Sequence, residues 1–280
     1  MLQSMFSGIS GMRSHQRRMD VIGNDIANVN TPGYKQSDVT FKEAYVTTVR
    51  APAPGTPGMQ VGLGAQVGSI VKNFSGGILM ETGQSGNMGV SGEGFFVVQE
   101  PGGGGVTFFT RAGDFLMDVS GGNSYLINPD GRRLMGVMSN DPADLDFAGL
   151  GLEVTDLEQV VLPPNTTSFS VGLDGFIYAS IGGASPQIVG RVALATFDNN
   201  TGLQAIGNNL FQQTDAAALR TLGNPGEGGV GQIFQGYLEN SNVDLAQEFT
   251  DMIITQRGFQ ANSRSITTSD EMLMELLRLK

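Results

Sequence analysis

The sequence predicts an α+β protein in which a long helix at each end pairs with the other around a mainly antiparallel β middle. Three observations carry this. Near the C-terminus apolar residues recur every seventh position, at Leu245, Met252, Phe259, Ile266 and Leu273. Near the N-terminus Met5, Met12, Met19 and Ile26 keep the same interval, with Leu2 and Ile9 three residues ahead of Met5 and Met12. Such a repeat marks helices that wrap around one another. The stretch between them is Gly-rich and punctuated by turn signals, with the two-residue alternation of short strands.

Residues Ser4 to Asn28 read as the first helix, stopped by Asn30-Thr31-Pro32-Gly33. Its basic charge gathers at Arg13, Arg17 and Arg18, with no acid before Asp20. Residues 34–75 read as an extended linker region, because the Pro-rich run Ala51 to Gly58 suits neither a helix nor a central strand. Residues 76–236 read as a β-rich outer domain. The β pattern itself begins earlier, at Met59, and runs to about Gly236: alternating runs include Gln66 to Val71 and Gly190 to Phe197, and Pro129-Asp130-Gly131 and Leu173-Asp174-Gly175 are turn signals. Gly102 to Gly105 reads as a loop tip, and the acidic, less regular residues 141–157 as a small insertion.

The last helix is expected to start at Ser241-Asn242-Val243-Asp244, with Ser241 as its cap, and to run to about Leu279. At 1.5 Å per residue that is roughly 55 Å. Residues 1–33 and 237–280 together form the terminal helical domain. A helix of that length needs other helices to cover it, most simply those of other copies. The expected assembly interface comprises Leu2, Met5, Ile9, Met12, Met19 and Ile26 on the first helix. On the last it comprises Leu245, Phe249, Met252, Phe259, Ile266, Leu273 and Leu277. Polar Gln256, Ser263 and Asp270 keep that second seam narrow.

Composition narrows the function classes. A net charge of -11 argues against nucleic acid or an anionic membrane as partner. Without cysteine there are no disulfides and no thiolate metal sites. No run of about 18 apolar residues is present, so no membrane insertion is expected. The first residues lack the pattern of a secretory signal, so a cytosolic location or export without a cleaved signal is expected. The single histidine, His15, sits beside Arg13 and Arg17 and reads as a solvated or interface polar residue. Gly62-Leu63-Gly64-Ala65-Gln66-Val67-Gly68 has its third glycine out of phosphate-loop register and reads as a turn. Asp141, Asp144 and Asp146 lack the register of a calcium loop. No catalytic site, cofactor or metal is expected.

Several motifs resemble one family. Residues Met19 to Lys35, with Asn24, Ala27, Asn28, Thr31, Gly33, Tyr34 and Lys35, resemble the N-terminal signature of bacterial flagellar axial proteins of the rod and hook. Ser241-Asn242-Val243-Asp244-Leu245 and the run Thr255 to Ser263, with Gln256, Arg257 and Asn262, resemble the matching C-terminal signature. Gly92 to Val98, Phe109 to Phe115 and Asn128 to Gly131 resemble the family's β core. The resemblance implies a structural protein that is no enzyme: a homo-oligomer polymerised into a hollow helical tube, with paired terminal helices inside and β domains outside. It implies passage unfolded through the flagellar export apparatus to the hook or basal body, outside the cytoplasm. Neighbours there are other axial proteins of the rod, hook cap and hook–filament junction. The last helix and Gly62-Leu63-Gly64 resemble the hook, whose tube carries torque from rod to filament. The length, and an extra segment after the first helix at Val49–Met59, fit the distal rod instead. Hook is the first expectation and distal rod the second.

Overall fold

The computed structural model describes all residues except 1, 52, 53, 55, 56, 103–105, 121, 140, 142–144, 148–153, 165, 184 and 280. The chain divides into two compact units. The first holds residues 1–29, 36–73 and 243–280; the second holds 30–35 and 74–242.

The first unit contains α1 (Leu2–Ala27), β1 (Ser37–Glu43), β2 (Val46–Arg50), β3 (Met59–Gly62), β4 (Ala65–Lys72) and α2 (Leu245–Arg278). Both terminal helices are present and lie against one another. The cap of α2 is Asp244, three residues after the expected Ser241. Its carboxylate accepts the backbone N–H groups of Ala246 and Gln247, and a negative charge there opposes the positive end of the helix dipole.

Residues 34–75 are not the extended linker that their prolines suggested. β1 pairs antiparallel with β4, and β2 with β3. Hydrogen bonds from Ala44 N to Gly64 O and from Leu63 N to Tyr45 O join the two ladders into one long hairpin. In sequence the Pro-rich run falls between β2 and β3, outside both strands. A two-stranded hairpin is marginal alone in water; this one is held to α1. Ser10 Oγ accepts from Ala65 N at 3.3 Å, and Ser14 Oγ donates to Ala65 O at 3.2 Å. The Phe41 ring lies 5.7 Å from His15, with the Arg18 guanidinium above it.

The second unit is the expected antiparallel β domain. In chain order its strands are β5 (Leu79–Glu81), β6 (Met88–Ser91), β7 (Phe95–Gln99), β8 (Thr107–Thr110), β9 (Leu116–Ser120), β10 (Asn123–Ile127), β11 (Arg133–Met138), β12 (Glu158–Gln159) and β13 (Val161–Leu162). They continue with β14 (Thr166–Val171), β15 (Phe176–Ile181), β16 (Gln187–Val192), β17 (Leu194–Phe197), β18 (Gln204–Gly207), β19 (Leu210–Gln212), β20 (Leu219–Gly223), β21 (Gln232–Gln235) and β22 (Tyr237–Glu239). The main sheet runs β14-β15-β16-β11-β7-β8-β19-β18. β7 is buried on both faces, which explains its unbroken Phe95-Phe96-Val97-Val98. Phe96 and Val98 join a core with Met88, Leu134 and Ile177; Phe95 and Val97 join another with Phe109, Phe197 and Phe211. The expected turns stand between β10 and β11 and between β14 and β15. Gly131 and Gly175 supply the positive φ there, at 79° and 80°.

The expected insertion at 141–157 is tied in where it is described. Leu145 and Phe147 are buried, Arg191 donates to Leu145 O, and the Asn224 side chain binds both Phe147 N and Asp146. Asp144, one of the three acids, lies outside the described residues, as do 103–105 of the glycine loop.

Candidate functional site

In the first unit the helices run antiparallel along a seam of small and polar residues. Ser4, Gly8, Gly11, His15, Arg18, Ile22 and Asp25 alternate four and three apart, so they share one face of α1. Opposite them Ser4 Oγ meets Ser269 Oγ at 3.2 Å, and Arg18 meets Asp251 at 3.1 Å. A side chain in place of Gly8 would touch Ile266, and one in place of Gly11 would run into the amide of Asn262. A Cβ on Gly258 would stand 2.6 Å from the His15 imidazole. Glycine therefore sets how closely the two helices approach.

The buried track of α2 is Glu248, Thr255 and Ser269, with Asn262 half-buried on the same seven-residue spacing. It runs three residues after the apolar track of Leu245, Met252, Phe259, Ile266 and Leu273. The polar track faces α1, and much of the apolar track is left outside. Met252, Ile266 and Leu273 are half-buried, whereas Leu245, Phe249, Phe259 and Leu277 are exposed, Phe259 by 40% and Leu277 by 77%. On α1, Met5, Ile9, Met12, Met19 and Ile26 flank the seam half-buried; Leu2 lies in the helix.

The far end of this seam is acidic. Glu248 is buried and accepts from the Gln36 amide at 2.5 Å, while Asp25 accepts from Ser37 N at 3.1 Å. Burial raises the pKa of Glu248, and the neighbouring carboxylates of Asp25, Asp251 and Asp38 push it the same way against the Gln36 hydrogen bond. Burial lowers the pKa of His15, with Arg18 adding to the effect, so a neutral ring is favoured against Gly258. Of the two expectations for His15, solvated or interface, the packing against Gly258 fits the second.

The N-terminal signature does its work in the second unit. Gly33 has φ +70°, and a Cβ there would stand 2.5 Å from the backbone nitrogen of Ala112. Its N–H donates to Glu239 O at 2.8 Å. Tyr34 is buried, and the fully buried Lys35 reaches Glu239 Oε1 at 2.6 Å and Ser75 O at 2.7 Å. Arg111 holds the other oxygen of Glu239 at 3.3 Å and Gly92 O at 2.7 Å. Burial lowers the pKa of Lys35, and Glu239 opposes that shift. One carboxylate thus clamps the segment after α1 to the last strand before α2. Asn242 adds bonds to Ser75, and Thr31 accepts from Tyr34 N.

The remaining signature residues do not gather there. Asn28 bonds back to Asn24 at the end of α1; Ala27, Gln256 and Arg257 are exposed; Ser241 and Val243 are half-buried. Asn262 faces Gly11. The sequence reading missed Gly8, Gly11, Gly258, Glu248 and Glu239. The seven-residue spacing of the first four was present, but an apolar scan passes over glycine and glutamate.

Three stretches match family models: residues 5–35 "Flagella basal body rod protein", 89–179 "Flagellar hook protein FlgE/F/G D1 domain", and 235–279 "Flagellar basal body rod FlgEFG protein C-terminal". The chain is also 39% identical to the flagellar basal-body rod protein FlgG of Bacillus subtilis, with all of both chains covered. The chain belongs to the flagellar rod and hook protein family. Another relative in this family, FlgG of Buchnera aphidicola subsp. Schizaphis graminum, is 33% identical, again over the whole of both chains. The flagellar hook protein FlgE of Borreliella burgdorferi is 27% identical over 450 aligned positions, against the 280 residues of this chain. Members of the family are structural proteins of the bacterial flagellum that polymerise into axial structures with other flagellar components.

Proposed function

We propose that this chain is a distal rod subunit of the flagellar basal body, polymerising into a hollow tube that carries torque outward. The observation that carries this is length. The rod relatives align from end to end without large gaps, whereas the hook relative needs 450 positions to accommodate this chain. Hook, the first expectation from sequence, gives way to rod on that ground. The segment Val49–Met59 supports the same reading, because its ends, Val49 and Met59, belong to the paired strands β2 and β3.

Assembly in this reading uses what the subunit leaves open. The α1–α2 seam closes within one chain on small and polar residues. Leu245, Phe249, Phe259 and Leu277 then present apolar surface outward, and burying each against a neighbouring copy is worth about 1.5–3 kcal/mol. The subunit reaches its site through the flagellar export apparatus and meets other axial proteins at the two ends of its segment.

The test is electron microscopy of basal bodies from a strain lacking the gene. Rods that stop short, restored by the intact gene, are expected. Complete rods that lack only the hook would return the chain to the hook reading.

A further inference from the structure

A groove runs between α1 and the hairpin in the first unit, with a volume of about 400 Å³. Phe6, Ile9, Leu63 and Val67 give it apolar walls, and Arg13 and Arg17 stand along its rim. Arg18 is taken by Asp251, but among the described residues Arg13 and Arg17 form no ion pair. Being four residues apart on a helix, their charges lie about 6 Å from one another on one face.

The complementary pattern is on the last turns of α2. Ser4 already meets Ser269, so the end of α2 outruns most of α1. Met272, Leu276 and Leu279, spaced four and three apart, form one stripe and are each at least half exposed. Glu271 and Glu275 immediately precede the first two, also four apart, and neither forms an ion pair among the described residues. The two helices thus carry matched pairs, basic beside apolar on one and acidic beside apolar on the other. The stretch from Glu271 to Leu279 spans about 12 Å and lies within that from Phe6 to Arg17, about 16 Å.

We propose that this groove receives the end of α2 from a neighbouring copy, with Glu271 and Glu275 paired to Arg13 and Arg17 and the Met272–Leu279 stripe seated on Phe6 and Ile9. The proposal rests on the assembly reading above and names its contact. Paired charges add little affinity at a surface, but a slipped register sets like charges or bare apolar groups against each other.

The chain has no cysteine, which makes the test direct. Full-length Phe6→Cys and Leu276→Cys subunits are mixed in equal amounts, assembled and mildly oxidised. A disulfide-linked dimer containing one of each is expected in the polymer. The double variant Arg13→Glu/Arg17→Glu is expected to raise the concentration needed for assembly about ten-fold or more. Mixing it with Glu271→Arg/Glu275→Arg subunits is expected to restore assembly in part. Polymers without the cross-link, together with normal assembly of the charge variants, overturn the groove and leave self-assembly standing. Failure of the unmodified chain to polymerise overturns the assembly reading and the groove with it.

Discussion

Lys35 Nζ lies 2.6 Å from Glu239 Oε1, with both side chains fully withdrawn from solvent although the residues stand 204 positions apart in the chain. Arg111 shares the same carboxylate. Two buried cations thus share one carboxylate, with Glu93 acting on Arg111 as well. Replacing Glu239 by Leu strands both, and removing one partner of a buried ion pair typically costs about 3–5 kcal/mol. Urea unfolding of the β unit is expected to show a loss of that size. A loss below about 1 kcal/mol would mean that the two cations find water or other partners.

The helix seam holds one group that does it no good. Thr255 is fully buried, and its hydroxyl has no hydrogen-bond partner among the described residues. Thr255→Val keeps the shape and removes the stranded hydroxyl, so a gain of about 1 kcal/mol is expected in thermal or denaturant melts. A clear loss would show that the hydroxyl is satisfied in solution.

Gly258 sets the spacing at His15. Gly258→Leu is expected to cost about 1–3 kcal/mol, as overpacking usually does. Because the nearest atoms belong to the imidazole, His15→Ala should relieve much of that cost in a double-mutant cycle. Simple additivity of the two changes would show that the backbone, not the ring, is the obstacle.

The stability of the helical unit should depend on pH through Glu248. Its folded pKa is raised above the ordinary 4.5, by burial first and by Asp25 second. The folded state therefore holds this proton more tightly than the unfolded chain. Charged Glu248 costs stability at neutral pH, and the cost is relieved as pH falls through the raised value toward 4.5. Glu248→Gln should remove this component of the pH dependence and melt higher than the parent at pH 7. Identical pH profiles for the two proteins would remove Glu248 as the source.

Most of the architecture was legible. Period-seven helices at both ends, alternating strands and two Gly turns fixed the α+β plan. The hairpin at 37–72 was hidden because three prolines, Pro52, Pro54 and Pro57, dominate the reading of its middle, yet in sequence they fall between β2 and β3 and outside both strands. The seam of α2 was misplaced by three residues for a related reason. Apolar periodicity marks the face that is most hydrophobic, and here much of that face stays exposed on the single subunit, while glycine, serine and threonine line the contact between α1 and α2. Glu239 carried no local signal at all. Its role arises only when residues 35, 111 and 239 meet in three dimensions.

The central claim is that α2 turns its polar track inward and keeps its apolar track for other copies. Phe259→Asp tests it most directly, since Phe259 is 40% exposed in the single subunit. The variant subunit is expected to melt within about 1 kcal/mol of the parent. It should fail to form tubes, as judged by sedimentation and electron microscopy, because a carboxylate sealed between helices is strongly disfavoured. Normal tubes from Phe259→Asp would contradict the account and place that face of α2 in solvent.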